Sequence, residues 1–484
     1  MLFKFKKYVV SDKTEKHSHT YAQWSIAFLG ASVLVTVGFL IGWVSPTKKI
    51  LMSDASPTGS PLTDTEMSAI ASTMTLAAIA GVPACSYVGE AYGRKAAILV
   101  IIALQMICWI IKLLATKASV LIVARAIAGI GYGATYVVVP MYIREISQDS
   151  IKGLLGTLIM SAQHIGVLVM YAMGSYLNYH TTLWIVLCFA IATFLLILLI
   201  PESPAFLVKI GKFEVATETL AFLRRLHVND VSIQNEINYM KDEDTRYKSS
   251  ESISFKSIVK NKVWLRAIVI NLAICCCVAF NGVFGIVTYA WSIMKEAGLS
   301  VSPELQSFVV PILLIFGTIV PFAFVERAGR KPLLAGAFVT TGVSMVCLAS
   351  ALLAQRCGVA VPGWVIVLSI AVAVTSYSAG ILTMPTIILN DMLRFHVRSK
   401  IMSPITIASL GVVSIYVAIF DPISNAFGLY SVFFISAGAN FLGAVIVLMW
   451  LPETRGRTVE EIEAMLLGKK GDHVTPSEDV ANAK

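Results

Sequence analysis

Charge is scarce in this chain. Asp, Glu, Lys and Arg together make up 14% of the 484 residues, while apolar residues make up 57%, and mean hydropathy is +0.77. That balance excludes an ordinary soluble protein and points to a chain that lives mostly in lipid. No Asn-x-Ser/Thr acceptor occurs, which removes N-glycosylation as a marker of sidedness. The first 20 residues are polar, with Lys4, Lys6, Lys7, Asp12, Lys13, Glu15 and Lys16. They therefore read as a cytosolic tail with no cleavable signal peptide. Cysteine is not organised for cross-linking, because seven of the eight fall inside apolar runs and only Cys357 lies in a loop. The Cys275–Cys277 triplet lacks metal spacing, since three consecutive helical positions cannot converge on one ion. No nucleophile–base pair or metal cluster is legible, and His17 and His19 sit in the tail, so the reading is not an enzyme, with no cofactor and no bound metal. The net charge of +9 does not imply a nucleic-acid partner, because the cations are segregated into alternate loops.

What is present is a series of apolar runs, each long enough to cross about 30 Å of hydrocarbon. They lie near 23–44, 67–88, 96–115, 119–141, 154–176 and 182–200, and again near 265–290, 304–324, 333–354, 362–389, 401–421 and 427–451. The fold class expected is an all-α membrane protein of twelve transmembrane helices in two six-helix halves. An even number of spans puts both termini on one side. About 31 of the 38 Lys and Arg fall on that side, which predicts a multi-pass membrane protein with both termini cytoplasmic. The expected organisation is an N-tail 1–22, a first half 23–200, a cytoplasmic helical linker 201–264, a second half 265–451 and a C-tail 452–484. In the linker, Phe213, Ala216, Leu220 and Leu223 recur at helical spacing.

The halves carry matching signatures. Glu90-Ala91-Tyr92-Gly93-Arg94-Lys95 returns as Glu326-Arg327-Ala328-Gly329-Arg330-Lys331. Glu145 and Pro201-Glu202-Ser203 follow the first turn; Asp391 and Pro452-Glu453-Thr454 follow the second. Arg94 precedes Glu202 by about 108 residues and Arg330 precedes Glu453 by about 123, the mark of an internal duplication.

On these residues, with Arg125-Ala-Ile-Ala-Gly129-Ile-Gly131-Tyr-Gly133, Pro140-Met-Tyr142-Ile-Arg144-Glu145, Pro201-Glu-Ser-Pro204 and Pro452-Glu-Thr-Arg-Gly456-Arg, the chain resembles the sugar porter family of the major facilitator superfamily. In helix one, Gly42 and Ser45-Pro46 without an acid look most like the insect facilitated trehalose and hexose transporter branch. Independently of any family, Gly129, Gly131 and Gly133 permit close helix approach, and Arg125 inside a span should face the bundle interior. The resemblance implies gating ion pairs on the cytoplasmic rim among Glu90, Arg94, Glu145 and Glu202 in one half, and Glu326, Arg330, Asp391, Arg398 and Glu453 in the other. These are expected to close only when the carrier faces outward. Two positions depart from the pattern: Ala91 and Ala205 stand where Arg is usual.

The substrate region departs further. Helix seven reads Val278, Ala279 and Phe284 where the family carries amides, and Tyr289 alone is kept. Met160 replaces a Gln, Thr386 a Trp, and Ser409-Leu410 an Asn-Trp. An unpaired sugar hydroxyl in a dry site costs about 1–3 kcal/mol, so the standard hexose pose is not expected. The substrate-binding candidates are therefore Met160, Gln163 and His164 in helix five, Asn281 and Tyr289 in helix seven, Tyr377, Ser378 and Thr386 in helix ten, and Ser409 in helix eleven. Breaks at Asn281-Gly282 and around Gly380 and Pro385 point to a site near the membrane midplane. The resemblance implies a facilitative uniporter in the plasma membrane for a small polar solute, foremost a sugar: a hexose, trehalose or polyol. Uniport is favoured because helix one has no Asp or Glu between Ala22 and Val44. The rivals are a non-transporting nutrient sensor and a proton-coupled carrier of a non-sugar solute. The partners expected are the solute and the lipid bilayer. The sequence sets no oligomeric state.

Overall fold

The structure is a computed structural model that describes residues 20–249, 260–297, 302, 305, 307–392, 395–454, 457 and 459–466. The first half opens with α1 (Tyr21–Gly42), which bends at Trp43 into α2 (Val44–Leu51). It continues through α3 (Asp64–Ala91), α4 (Arg94–Leu113), α5 (Ala118–Ile146), α6 (Asp149–Tyr176) and α7 (Tyr179–Leu199). Three short helices follow: α8 (Pro204–Lys209), α9 (Phe213–Arg224) and α10 (Val231–Ser249). The second half holds α11 (Lys262–Ala279), α12 (Val283–Ala297), α13 (Val309–Ala328), α14 (Arg330–Arg356) and α15 (Gly363–Ser376). A π-helical turn at Tyr377–Ile381 then leads to α16 (Met384–Met392), α17 (Phe395–Phe427), α18 (Leu429–Trp450) and a final α19 (Val459–Leu466).

Among the described residues, eleven helices or bent helix pairs are long and apolar enough to span a membrane, and Val309–Thr318 at the start of α13 is a shorter apolar helix. Their lipid-facing surface is the inverse of a soluble protein's. Trp184, Leu195 and Leu199 on α7 and Leu448, Met449 and Trp450 on α18 are exposed large apolar residues, as helices facing hydrocarbon require. Between helices the packing is close. Gly129 of α5 lies where a Cβ would meet the Met74 carbonyl at 2.3 Å, so α3 and α5 touch backbone to backbone.

The short helices cover the side on which α1 and α11 begin. Gln23 donates to the Leu223 carbonyl at 3.2 Å, Arg224 donates to the Ile146 carbonyl at 2.8 Å, and Arg266 donates to the Leu466 carbonyl at 2.6 Å. Arg224 also pairs with Glu236 at 2.6 Å. This face is called the tail side below, and the other the far side.

The repeated turns sit on the tail side and are built around a glutamate at a helix N-terminus. Glu202 accepts from the backbone N–H of Arg94 at 3.0 Å, of Lys95 at 3.1 Å and of Ser203 at 2.9 Å. An anion there satisfies donors that the first turn of α4 leaves without helical acceptors and meets the positive end of the helix dipole. Burial pushes the Glu202 carboxyl above its usual 4.5, against the pull of those N–H donors. The Arg94 guanidinium forms a forked pair with Glu145, at 2.9 Å from Nη2 and 3.1 Å from Nε, and donates to the Gly89 carbonyl at 2.8 Å. Ser203 donates to the same Glu145 carboxylate. The second half repeats the scheme. Glu453 accepts from the N–H of Arg330 and of Lys331, each at 3.1 Å, and Arg330 Nη1 reaches Thr454 Oγ1 at 3.3 Å.

Gly93 has φ 109°, a region closed to residues with a side chain, and a Cβ there would lie 2.1 Å from Glu202 Oε2. Gly93→Ala should strain the backbone and displace the capping carboxylate together, at a cost of about 1–3 kcal/mol. The check is thermal unfolding of the detergent-purified protein. The expected result is a clearly lowered midpoint for Gly93→Ala and an unchanged one for Gly336→Ala, where the added methyl meets nothing within 4 Å. Equal midpoints for parent and Gly93→Ala would remove the cap.

Candidate functional site

Among the described residues, several side-chain contacts between the two halves gather on the far side. Lys48 of α2 lies 3.5 Å from Asp421 of α17, with side chains 12% and 9% exposed. The Lys48 ammonium also sits 4.9 Å over the ring of Tyr289. Tyr289 in turn stacks on Phe420, with ring centroids 4.4 Å apart and planes 16° from parallel, and its hydroxyl lies beside Asp421. Backbone contacts lock the same seam. Ser45 accepts from the Trp291 N–H at 3.1 Å, Ser68 donates to the Ala418 carbonyl at 3.1 Å, and Tyr171 donates to the Val287 carbonyl. Together these join α2, α3 and α6 of the first half to α12 and α17 of the second, and close the far side.

Sequence reasoning missed this closure. An acid at the very end of a predicted span is a signal that could have found Asp421. Its cation lies 373 residues away, and nothing in the sequence pairs the two.

Below the closure, polar and aromatic side chains from both halves face one another. Tyr132 and Tyr136 of α5 pack edge to face at 5.4 Å. The Tyr136 hydroxyl lies beside Gln163 of α6 and near Tyr377 of the π-turn. Ser161 and Thr318 bridge α6 to α13 at 3.2 Å. Gln163 and Tyr377, both predicted, are thus brought together across the halves, and Tyr136 joins them unpredicted. A tyrosine one helical turn from Tyr132 on the glycine-rich face of α5 is the signal that could have drawn it in.

The remaining candidates are placed differently. Met160 is half-buried on α6. His164, its neighbour in the candidate set, is buried, and its Nδ1 has no hydrogen-bond partner among the described residues. Asn281 is committed elsewhere: its amide donates to the Asn440 side chain on α18, and Asn440 donates back to the Asn281 carbonyl at 2.9 Å. Ser378 donates to the carbonyls of Val374 and Thr375 in its own helix. Ser409 lies beside Cys275 of α11, and Thr386 is exposed on α16. Tyr289 belongs to the far-side closure.

Of the expected gating residues, Glu90 is exposed, and the side chains of Glu326, Asp391 and Arg398 lie outside the described residues. The Arg94–Glu145–Glu202 cluster and the Arg330–Glu453 cluster each join elements of a single half. The first is intact while the far side is closed, so closure only in the outward-facing state does not describe it. The physical reason is that Glu202 caps α4 and Glu145 pairs with Arg94 and Ser203, all within their own half, a job independent of how the halves are tilted.

Arg125 is buried at 2% exposure and donates to two backbone carbonyls, Leu40 at 2.6 Å and Ile70 at 3.1 Å. No acid faces it from α1, in keeping with the composition of that helix.

The model of the family described as "Sugar (and other) transporter" matches residues 3–466. A facilitated trehalose transporter Tret1 of Aedes aegypti is 26% identical over 453 residues; the match covers 93% of this chain but only 55% of that protein, so the chain spans about half of its length. A facilitated trehalose transporter Tret1 of Culex quinquefasciatus is 25% identical over 467 residues, covering 96% of this chain and 89% of that one. Among solved structures, the inward open conformation of the xylose transporter XylE from E. coli superposes with a TM-score of 0.75 at 19% identity, covering 92% of this chain and 99% of that one. The partially occluded inward open conformation of the same transporter gives 0.73 at 18% identity, covering 89% and 100%. The fold is accordingly that of the major facilitator transporters, and with nearly its whole length matched by one family model, the chain belongs to the sugar (and other) transporter family.

Proposed function

We propose that this protein is a facilitative carrier of a sugar, with trehalose and hexoses the foremost candidates. It works by rocking its two halves about a midplane site, in the plasma membrane with both termini cytoplasmic. The observation that carries the reading is the far-side seam over a set of polar aromatics shared by both halves. A seam made of one ion pair, one ring stack and a few hydrogen bonds is strong enough to hold and weak enough to reopen. The names of the relatives support the sugar class, and the loop charges support the orientation. Uniport fits the surroundings of Arg125: its donors are taken up by main-chain carbonyls, and α1 offers no carboxyl group to carry a proton beside it.

The solute site proposed is Gln163, Tyr136 and Tyr377, with Met160 and His164 at its edge on α6. Asn281 is assigned to holding the break between α11 and α12. Gln163→Ala should weaken solute binding several-fold, about 1 kcal/mol for one lost hydrogen bond, with little change in melting temperature. Asn281→Ala should lower the melting temperature, because it leaves the buried Asn440 side-chain oxygen without its donor at a cost of about 1–3 kcal/mol, and should leave apparent affinity nearly unchanged. Saturable uptake of labelled trehalose and glucose into proteoliposomes, paired with thermal unfolding, separates the two. The reverse pattern would exchange their roles. Uptake that is saturable, equal in both directions and indifferent to collapse of a pH gradient is the expected behaviour; proton-driven accumulation would overturn uniport.

The far-side seam gives a separate test. Asp421→Asn keeps the shape and removes the charge, so a partly shielded pair worth about 1 kcal/mol should shift the conformational balance about fivefold toward opening. In a Cys357→Ser background, Ser68→Cys should then label several times faster with an impermeant thiol reagent applied from the far side. Unchanged labelling would mean that Lys48 and Asp421 do not hold the halves together.

A further inference from the structure

Arg125 is not the only cation buried in the first half. Lys112 lies in the last turn of α4 at 1% exposure, and its ammonium is held between two indoles, 3.7 Å from the Trp43 ring centroid and 4.0 Å from that of Trp109. Arg125 approaches Trp43 as well, at 6.0 Å from its ring. Tyr179 packs against Trp43 at 6.4 Å. Cys108 lies within electrostatic reach of Lys112, Arg125 and Tyr179. The arrangement follows from sequence: Gln105, Cys108, Trp109 and Lys112 fall at i, i+3, i+4 and i+7 on α4, a single helical face, and all are buried. Trp43 is at the bend between α1 and α2, and Tyr179 opens α7.

The donors of this cluster exceed its acceptors. Lys112 Nζ, Trp43 Nε1, Trp109 Nε1 and the Tyr179 hydroxyl all lack a hydrogen-bond partner among the described residues, as do both amide atoms of Gln105. The helices that build it carry no acid over 22–44, 94–113, 118–144 or 179–199. The faces of two indoles stabilise an ammonium, but the positive charge of Lys112 and Arg125 together remains uncompensated in an interior where charge is expensive.

We infer that the cluster is a binding site for a small monovalent anion of the chloride type, held by the Lys112 ammonium on the side its two indole faces leave open, with the unpartnered Tyr179 hydroxyl in the same cluster and the charge of Arg125 nearby. The two rings close to Nζ restrict the ligand to a monoatomic or similarly compact ion, and exclude a sugar or a bulky carboxylate. Lys112, Trp109 and Tyr179 come from α4 and α7, which do not contribute to the Gln163–Tyr136–Tyr377 set, and Arg125 on α5 lies between the two groups. Its position at the Trp43 bend places the ion beneath α2, the segment that carries Lys48 and Ser45 to the far-side seam. A bound anion therefore stabilises the bend from which the seam is built.

The test uses the full-length protein purified in detergent, melted at constant ionic strength in sodium chloride or sodium bromide against sodium gluconate. The parent should gain stability saturably with either halide and not with gluconate. Lys112→Met, which keeps the length of the side chain and removes the charge, should raise the half-saturating halide concentration at least tenfold or abolish the response. Should that variant fail to fold, crystals of the parent grown in bromide provide the second arm, with an anomalous difference peak expected in contact with Lys112. Equal melting of the parent in halide and gluconate, or bromide-grown crystals without a peak beside Lys112, would overturn the site and leave an uncharged amine or a pairing with the Cys108 thiol as the way the charge is managed.

Discussion

A backbone N–H or C=O that loses its helical partner inside a bilayer finds no water to replace it, so the protein must supply the partner itself. This constraint accounts for several of the polar side chains that the structure buries or half-buries. Where α4 and α14 begin, Glu202 and Glu453 accept the orphan N–H groups. Where α7 ends, Lys95 donates to the Leu198 carbonyl and Tyr142 to the Pro201 carbonyl, both at 2.8 Å. At the break between α11 and α12, Asn440 takes up the Asn281 carbonyl. In the first turn of α16, Asn271 donates to the Pro385 carbonyl at 3.0 Å. Beside the α1–α2 bend, Arg125 takes up the Leu40 carbonyl. The break between α11 and α12 and the bend at Trp43 are thus each stitched by a side chain from another helix.

The same constraint explains how much could be read from the sequence. The spans were legible because lipid demands long apolar runs, and the duplicated turns because a helix start in lipid needs a reversal, a cation and a distant carboxylate in both halves. Gly129 was legible as a packing residue for a similar reason: a close approach of helices admits few residue types. Polar residues near the breaks were harder. An amide at a broken helix can line a cavity or cap a strayed carbonyl, and the break itself erases the periodicity that would fix its direction. Asn281 was read as facing solute and is bonded to Asn440, whereas Gln163, on the uninterrupted α6, lies beside Tyr136. The Lys48–Asp421 pair was illegible for another reason: it exists only after two halves dock, and no local pattern encodes a contact between them.

The polar interactions divide by what they must survive. Those on the tail side join elements within one half, use carboxylates that accept several donors each, and are partly shielded from solvent. They behave as fixed structure, since a half that rocks as a unit must not change shape as it moves. Those on the far side join one half to the other, and each is modest: an ion pair at 3.5 Å, a single ring stack, isolated hydrogen bonds to backbone. A seam that had the density of the Arg94 cluster would trap the carrier, because a solute can shift a conformational balance only by its difference in affinity for the two states. For a small polar ligand making a few hydrogen bonds, that difference is on the order of a few kcal/mol.

That limit also bears on the choice of a lysine and an aspartate for the seam. Two charges brought together in the seam, 12% and 9% exposed, lose most of their hydration and recover it when the seam opens to water, so the desolvation cost offsets much of their attraction. An apolar seam of equal area would not be balanced in this way, since each opening would expose hydrocarbon surface at about 25 cal/mol per Å² with nothing to offset it. The Tyr289–Phe420 stack supplies a small apolar core to the seam, and the charged pair at its edge keeps the total within reach of the solute. On this view the near-neutral energetics of a desolvated ion pair, which make such pairs poor sources of stability, are what suit this one to a gate.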